Sequence, residues 1–356
     1  MPRKRVKSAS RRSFASLPRN LVPMEAKLVD ELPAGKGWQF EPKWDGFRCL
    51  VFRDADEVRL QAKSGKPLAR YFPEMVELFQ SLSARRFVLD GELTIPINGV
   101  LSFDALQMRL HPAASRIRRL ARETPAIFIA FDMLLTPAGK TLIDQPLHVR
   151  REELERFFRD FRVPADLKLS PRTESRSTAL RWLAQSGGAL DGVIAKPVEE
   201  PYHPGERAMM KIKQRRTADC VVGGFRYGEG TRFVASLLLG LYDTDGKLHH
   251  VGFPSTIRSA ERAGLTKRLE KLVSPPGFTG DAPGGPSRWS TERSAKWRPL
   301  KPKLVVEVTY DQVTNDRFLH GTRLVRWRPD KAPRQCTFEQ IQPAQPPAML
   351  RKLIAA

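Results

Sequence analysis

The chain has 356 residues and a formal charge of +22, from 61 basic against 39 acidic side chains. That length suffices for two domains with separate cores, and so large a positive excess favours an extended polyanion as partner, with a merely solvated basic surface as the plainer alternative. Three cysteines, Cys49, Cys220 and Cys336, lie far apart with no Cys-x-x-Cys pair, which argues against a disulfide framework or a zinc site and suits a reducing compartment. The longest apolar run, Phe233 to Tyr242, is strand-sized and well short of the ~18 residues of a membrane span, so the chain is expected to be soluble.

Residues 1 to 14 carry Arg3, Lys4, Arg5, Lys7, Arg11 and Arg12 with no acid and no hydrophobic stretch. A secretory signal needs an apolar segment; this composition fits an arm that grips phosphates and is disordered without them, and it equally matches an organelle transit peptide. Residues 1–20 are read as a basic tail. Trp38 to Phe40 predicts a strand that delivers Lys43 to a turn on Asp45-Gly46, and Phe47 to Phe52 predicts the next strand. A lysine fixed at such a junction can act as a nucleophile once deprotonated, and nearby positive charge favours the neutral amine. A surface hairpin with one solvated lysine is the bland alternative.

Helical spacing predicts helices over Pro73 to Leu82 and Leu147 to Phe161, the second through Leu147, Leu154, Phe157, Phe158 and Phe161. Phe87-Val88-Leu89 predicts a short strand with Asp90-Gly91-Glu92 just beyond its end, a place either for a functional carboxylate or for an ordinary turn. Ala126 to Leu135 reads as a buried strand in which Phe131 either packs in the core or offers its face to a base. Ser177 can cap a helix through Ser186, closed by Gly187-Gly188. The stretch Leu190 to Lys196 repeats the order carboxylate, glycine, strand, lysine through Asp191, Gly192 and Lys196. Alternation in Met209 to Lys213 puts Lys211 and Lys213 on one face, where their repulsion calls for an anion such as phosphate between them, unless the strand is a lysine-studded edge.

The texture changes near Thr217. Cys220 to Val222, Phe233 to Tyr242, Leu248 to Phe253, Leu304 to Thr309 and Leu324 to Trp327 predict five strands, with a hairpin turn at Asp243 to Gly246. One helix, Ser259 to Val273, and a Pro/Gly-rich loop from Ser274 to Pro286 interrupt them. Five strands and one helix fit an oligonucleotide-binding barrel, and a generic small barrel nearly as well. Arg323, Arg326, Arg328 and Lys331 surround Asp330 after the last strand, which alone would be a basic patch. The expected domains are residues 21–217 and 218–345, followed by a tail at 346–356.

In this order the segments resemble the covalent nucleotidyltransferases, specifically the ATP-dependent DNA ligases. Lys43-Trp44-Asp45-Gly46 is similar to the nucleotidyl-lysine motif of that family. Asp90-Gly91-Glu92, Phe131-Asp132, Asp191-Gly192 with Lys196, Lys211-x-Lys213 and the Arg323 to Lys331 segment fall where its later motifs belong. Ala26 to Pro33, Tyr202-His203-Pro204-Gly205 and Arg326 to Asp330 are most similar to the small C-type bacterial ligases. The resemblance spans about Leu21 to Thr337; each motif is weak alone, and their fixed order is specific. Two positions depart from the pattern: Lys63 stands where the family usually has arginine, and Asp191 where it commonly has glutamate.

The resemblance implies an α+β fold: a nucleotidyltransferase core of antiparallel sheets with helices, ATP-grasp-like, then an OB-fold β-barrel. It implies ATP with Mg²⁺ (or Mn²⁺) as cofactors and nicked duplex DNA as partner, without zinc or membrane. Lys43 would carry AMP as a phosphoramidate, and Lys211 and Lys213 would neutralise the α-phosphate and depress the lysine's pKa. Glu92 and Asp191 would hold metal or ribose, Arg48 the nucleotide sugar, and Phe131 would stack on adenine. Glu41, Lys63 and Lys196 join the nucleotide-binding set, and Arg328 and Lys331 would close over pyrophosphate in the first step. The expected setting is a monomer in the bacterial cytoplasm at the nucleoid, acting in repair beside separate polymerase or end-joining proteins. An RNA ligase, a GTP-using RNA-capping guanylyltransferase and a non-catalytic DNA-binding protein stay open. A NAD-dependent ligase is disfavoured, because the four-cysteine zinc module of that family is missing.

Overall fold

The structure is a computed structural model that describes residues 21–185, 190–214, 216–254, 257–284, 296–311, 313–314, 316–318, 322–342 and 353. The two tails (residue 353 aside), the Gly187-Gly188 helix stop and the end of the Pro/Gly-rich loop at Pro286 lie outside these residues. The chain forms two compact units, Met1–Lys213 with Ala344–Ala356, and Gln214–Pro343.

In the first unit the elements run β1 (Ala26–Leu28), β2 (Trp38–Trp44), β3 (Phe47–Asp54), β4 (Glu57–Ala62), α1 (Pro73–Ser81), β5 (Arg86–Thr94), β6 (Pro96–Ile97), β7 (Val100–Leu101), α2 (Phe103–Arg109) and α3 (Ala114–Glu123). They continue with β8 (Ile127–Leu135), α4 (Leu147–Asp160), β9 (Leu167–Leu169), α5 (Arg176–Ala184), β10 (Leu190–Pro197) and β11 (Met209–Ile212). Two sheets result, in the orders β4-β3-β5-β8-β9 and β1-β11-β10-β2, antiparallel except for the pairs β8–β9 and β1–β11. Successive side chains of a strand point to opposite faces, so β3 serves two cores. Cys49 and Val51 face a core built with Phe72, Met75, Phe79, Leu154 and Phe157, while Leu50 and Phe52 pack with Leu21, Met24, Leu134 and Tyr202. The second sheet has its own cover, in which Ala179 and Trp182 of α5 lie against Phe40, Val193 and Ile212.

Two expectations need correction here. Asp90-Gly91-Glu92 does not follow a strand; it lies inside β5, which is paired along this stretch with both β3 and β8. Helix α5 is capped by Ser175, whose extended backbone lets its hydroxyl accept from the Thr178 amide, and not by Ser177.

The second unit holds β12 (Arg216–Tyr227), β13 (Val234–Tyr242), β14 (Leu248–Gly252), α6 (Arg262–Glu270), β15 (Arg298–Pro299), β16 (Val305–Tyr310), β17 (Val313–Thr314), β18 (Arg317–Phe318) and β19 (Arg323–Trp327). Five strands follow the order β14-β13-β12-β16-β19, with β15 paired to β12 and β17 to β18. This is the strand set expected for an oligonucleotide-binding fold; among the described residues no pairing joins β14 to β19, so the sheet is open there. Val222, Phe225, Leu239, Val251, Leu269 and Val306 form its core, all buried to 0 % exposure.

Candidate active site

Period-2 alternation on facing strands gathers the charged groups of the first unit. Glu41 and Lys43 of β2, Ile194 and Lys196 of β10, and Met209 and Lys211 of β11 point to one side of the smaller sheet. Arg48 of β3, Glu92 of β5 and Phe131 of β8 come from the larger sheet, and together with Lys63 these residues line one cavity of about 190 Å³. Lys43 sits within the end of β2, and the turn begins after it, at Asp45-Gly46. A side chain on Gly46 would meet the Leu93 carbonyl at 2.3 Å, so the turn passes directly over β5.

Lys43 Nζ is bonded to Asp191 Oδ2, which also takes Lys213 Nζ at 3.1 Å. Asp191 is thus the anion between two ammonium groups, and it meets the cavity through Lys43. A register shift of β10 between Leu190 and Gly192 presents it. Gly192 there has φ +134°, and a Cβ would lie 2.0 Å from the Ile212 carbonyl, so only glycine fits. Lys213 falls just past the end of β11, which stops at Ile212.

The lysine's protonation differs from the sequence-based expectation. Burial works against its charge, but the adjoining Asp191 carboxylate, followed by Glu92 and Asp45, outweighs burial and raises the pKa of Lys43. Lys43 is therefore held as an ammonium. Lys211 is the depressed lysine, through burial and then repulsion from Lys43 and Lys213. Glu92 is pushed up to about 8 by burial, with Arg48 and Lys43 opposing the rise.

Around them runs a network of ion pairs. Arg48 forks onto Asp90 with Nε to Oδ1 and Nη2 to Oδ2 both at 2.6 Å, and its guanidinium lies 4.4 Å from the Phe131 ring centroid. Lys196 donates to Glu41 at 2.8 Å with both side chains buried, and its Nζ is 4.8 Å from the same ring. Gln39 donates to the other Glu41 oxygen at 2.7 Å. Lys63 reaches Glu25 at 3.0 Å and is more than half exposed.

Arg328 and Lys331 belong to the second unit. Arg328 Nη1 contacts Asp219 at 2.9 and 3.1 Å while its Nη2 bonds Asp330 at 2.8 Å, and Lys331 Nζ reaches Asp219 at 3.1 Å. Sequence reasoning missed Asp219, and it missed the buried ion pair of Arg150 with Asp132 at 2.9 and 3.1 Å. The only available signal was a charged residue inside an apolar run.

A family model described as ATP dependent DNA ligase domain matches residues 23–213, and one described as ATP dependent DNA ligase C terminal region matches 230–331. The chain is 43% identical over 335 residues to DNA ligase C2 of Mycolicibacterium smegmatis, covering 90% of this chain and 93% of that one. It is 32% identical over 331 residues to the multifunctional non-homologous end joining DNA repair protein LigD of Mycobacterium tuberculosis, covering 90% of this chain and 40% of that one. A solved structure from an analysis of Lig E DNA ligases superposes with a TM-score of 0.50 at 16% identity, over 86% of this chain and 100% of that one, a likeness of fold alone.

Proposed function

The chain belongs to the ATP-dependent DNA ligases, in the small C-type bacterial group, and from that membership we propose how its residues divide the reaction among themselves. The first unit acts as the adenylation domain and the second as the OB-fold domain, with the division at Lys213 and Gln214 in place of the expected 217 and 218.

Lys43 is the nucleophile. Its Nζ loses a proton, attacks the α-phosphorus of ATP and displaces pyrophosphate, leaving a lysyl-AMP phosphoramidate. Arg48 holds the nucleotide sugar, Phe131 stacks on adenine, and Glu41, Lys63 and Lys196 complete the pocket. Lys211 and Lys213 stabilise the charge that develops on the α-phosphate. Arg328 and Lys331 serve this first step, in which pyrophosphate is the leaving group. AMP then passes to the 5′-phosphate of a nick, and the 3′-hydroxyl displaces it to form the phosphodiester bond.

A divalent ion fits this chemistry through Glu92 and Asp191. Glu92 is a carboxylate that burial alone would keep protonated near neutrality, as suits a group that ionises when a cation arrives. Mg²⁺ is commonly held by one or two carboxylates together with substrate phosphates, so two side chains suffice. When bound, Mg²⁺ (or Mn²⁺) would supply charge neutralisation to the phosphates.

The observation that carries the reading is Lys43 held against Asp191 on the wall of a cavity ringed by Glu92, Arg48, Phe131, Lys196 and Lys211. Incubation with α-labelled ATP, GTP or NAD should label the wild-type chain from ATP alone. Lys43→Ala should lose the adduct and the sealing of a 5′-phosphorylated nick while keeping some sealing of a pre-adenylylated nick. An acid-labile AMP adduct on the variant would refute the assignment; labelling by GTP, or sealing of RNA nicks only, would favour the capping or RNA-joining alternatives. We place the activity in DNA repair, supported by the name of the LigD relative. It would act as a monomer in the bacterial cytoplasm. Among the described residues no helix is long and apolar enough to cross a membrane.

A further inference from the structure

We propose that Tyr202 is a positioning residue for nucleotide binding: its hydroxyl fixes the Asp90 carboxylate, and through it the Arg48 guanidinium above Phe131. Tyr202 does not line the cavity, and it is 2% exposed. Its hydroxyl donates to Asp90 Oδ2 at 2.6 Å and accepts the Met24 amide at 2.9 Å. That same Asp90 oxygen takes Arg48 Nη2, so arginine and tyrosine share one carboxylate that is fully buried. The Met24 carbonyl in turn accepts Arg48 Nη2 at 3.4 Å, so one backbone residue ties to both side chains.

The support behind Tyr202 is as fixed as the contact itself. Its backbone amide donates to the Ile143 carbonyl at 2.8 Å, and the Arg150 guanidinium lies 5.6 Å from its ring centroid. Arg150 is locked by Asp132, the neighbour of Phe131 on β8. The contacts therefore close a ring: Phe131 under Arg48, Arg48 on Asp90, Asp90 on Tyr202, Tyr202 against Arg150, and Arg150 on Asp132. Two consecutive residues of one buried strand anchor both ends. A carboxylate held by three donors has one orientation, whereas one held by the arginine fork alone can swivel with it. Burial and the adjoining Asp90 raise the Tyr202 pKa well above the usual phenol value, so the hydroxyl stays a donor at all working pH.

This inference rests on the assignment of Arg48 to the nucleotide sugar, and the test separates the two. Tyr202→Phe keeps the ring and removes only the hydroxyl. Enzyme adenylylation by the full chain should show a KM for ATP raised about three- to tenfold with kcat changed by less than about twofold. The preference for ATP over its 3′-deoxy and 2′-deoxy analogues should narrow as it does in Arg48→Lys. In the Arg48→Lys background, Tyr202→Phe should add no further increase in KM, because the hydroxyl acts through that guanidinium. Additive effects, or an unchanged KM with a lowered Tm, would overturn the proposal and leave Tyr202 a packing residue. An Arg48→Lys chain that keeps full preference for ATP would refute the sugar contact instead, while the coupling in the double variant still decides the role of Tyr202.

Discussion

Lys43 is held as an ammonium by the Asp191 carboxylate that touches it, and for the nucleophile proposed above this would set the pH behaviour of the first step. Its pKa is raised: burial disfavours the charge, and Asp191 overrides burial. A nucleophile of raised pKa is deprotonated only at higher pH, so the adenylylation rate should climb on an alkaline limb. Asp191→Asn removes the overriding charge and leaves burial in place, so that limb should move to lower pH. The same change removes a proposed cation ligand, and the plateau rate should fall, by roughly 10- to 100-fold. Single-turnover adenylylation across pH reads both effects; a limb that stays in place would show that Asp191 does not govern the lysine's proton. The pairing behind this prediction was not legible beforehand. Lys43 and Asp191 are 148 residues apart, and only the register of β2 against β10, Lys43 opposite Gly192, joins them. Lys211 and Lys213 were read as a pair needing an anion, but the carboxylate that bonds Lys213, Asp191, has Lys43 as its second lysine.

Strand β12 joins β16 and β19 in a way that stacks charge across three strands. Asp219 lies opposite Glu307, and Glu307 lies opposite Arg326, so acids on two strands face the arginines that follow on the third. Arg326 reaches Glu307 at 2.6 Å, and Arg328 is raised in pKa first by its bond to Asp330 and further by Asp219 and Glu307. A cation already provided with acids is prepared in position without closing off its remaining face, since Arg328 keeps 18 % exposure. Arg328→Ala and Lys331→Ala should lower enzyme adenylylation about tenfold or more while leaving the sealing of a pre-adenylylated nick within about twofold. Equal loss in both assays would mark the segment as a general DNA contact. Legibility at this scale followed composition. Runs such as Ala126 to Leu135 and the periodic Leu147 to Phe161 emerged as β8 and α4 because their apolar pattern is uninterrupted. Strand β12 was read as ending at Val222 because two glycines follow, yet it runs on to Tyr227. Gly223 and Gly224 are there because the Phe278 and Trp297 rings pack where their Cβ atoms would be, at 2.6 and 2.7 Å. Asp90 and Glu92 were likewise placed just past the end of a strand, because a carboxylate such as Asp90 inside β5 makes sense only once Arg48 and Tyr202 are seen to meet it. Helix α3 escaped notice because only Ile117 and Ala121 are buried in a sequence otherwise rich in arginine.

Across the whole molecule the dominant quantity is charge. The excess of +22 is far larger than the nucleotide cavity needs, since the basic groups there are largely paired with Asp90, Asp191, Glu41 and Glu25. A surplus of this size suits a partner with many phosphates, and a DNA ligase acts on one, nicked DNA. Six of these charges fall in residues 1–14 with no acid among them. Each phosphate that they neutralise on duplex DNA should add about 0.9 to the slope of log affinity against log salt. Deletion of residues 1–14 should leave lysyl-AMP formation at the wild-type rate, because every proposed nucleotide-binding residue lies after Leu21. The same deletion should weaken nick binding at low salt and flatten its salt dependence by up to about five, the limit set by six contacts. Binding isotherms at several salt concentrations, on full-length and truncated chains side by side, measure this directly. An unchanged slope in the truncated chain would assign the basic segment to targeting or to a protein partner and leave DNA affinity to the two folded units.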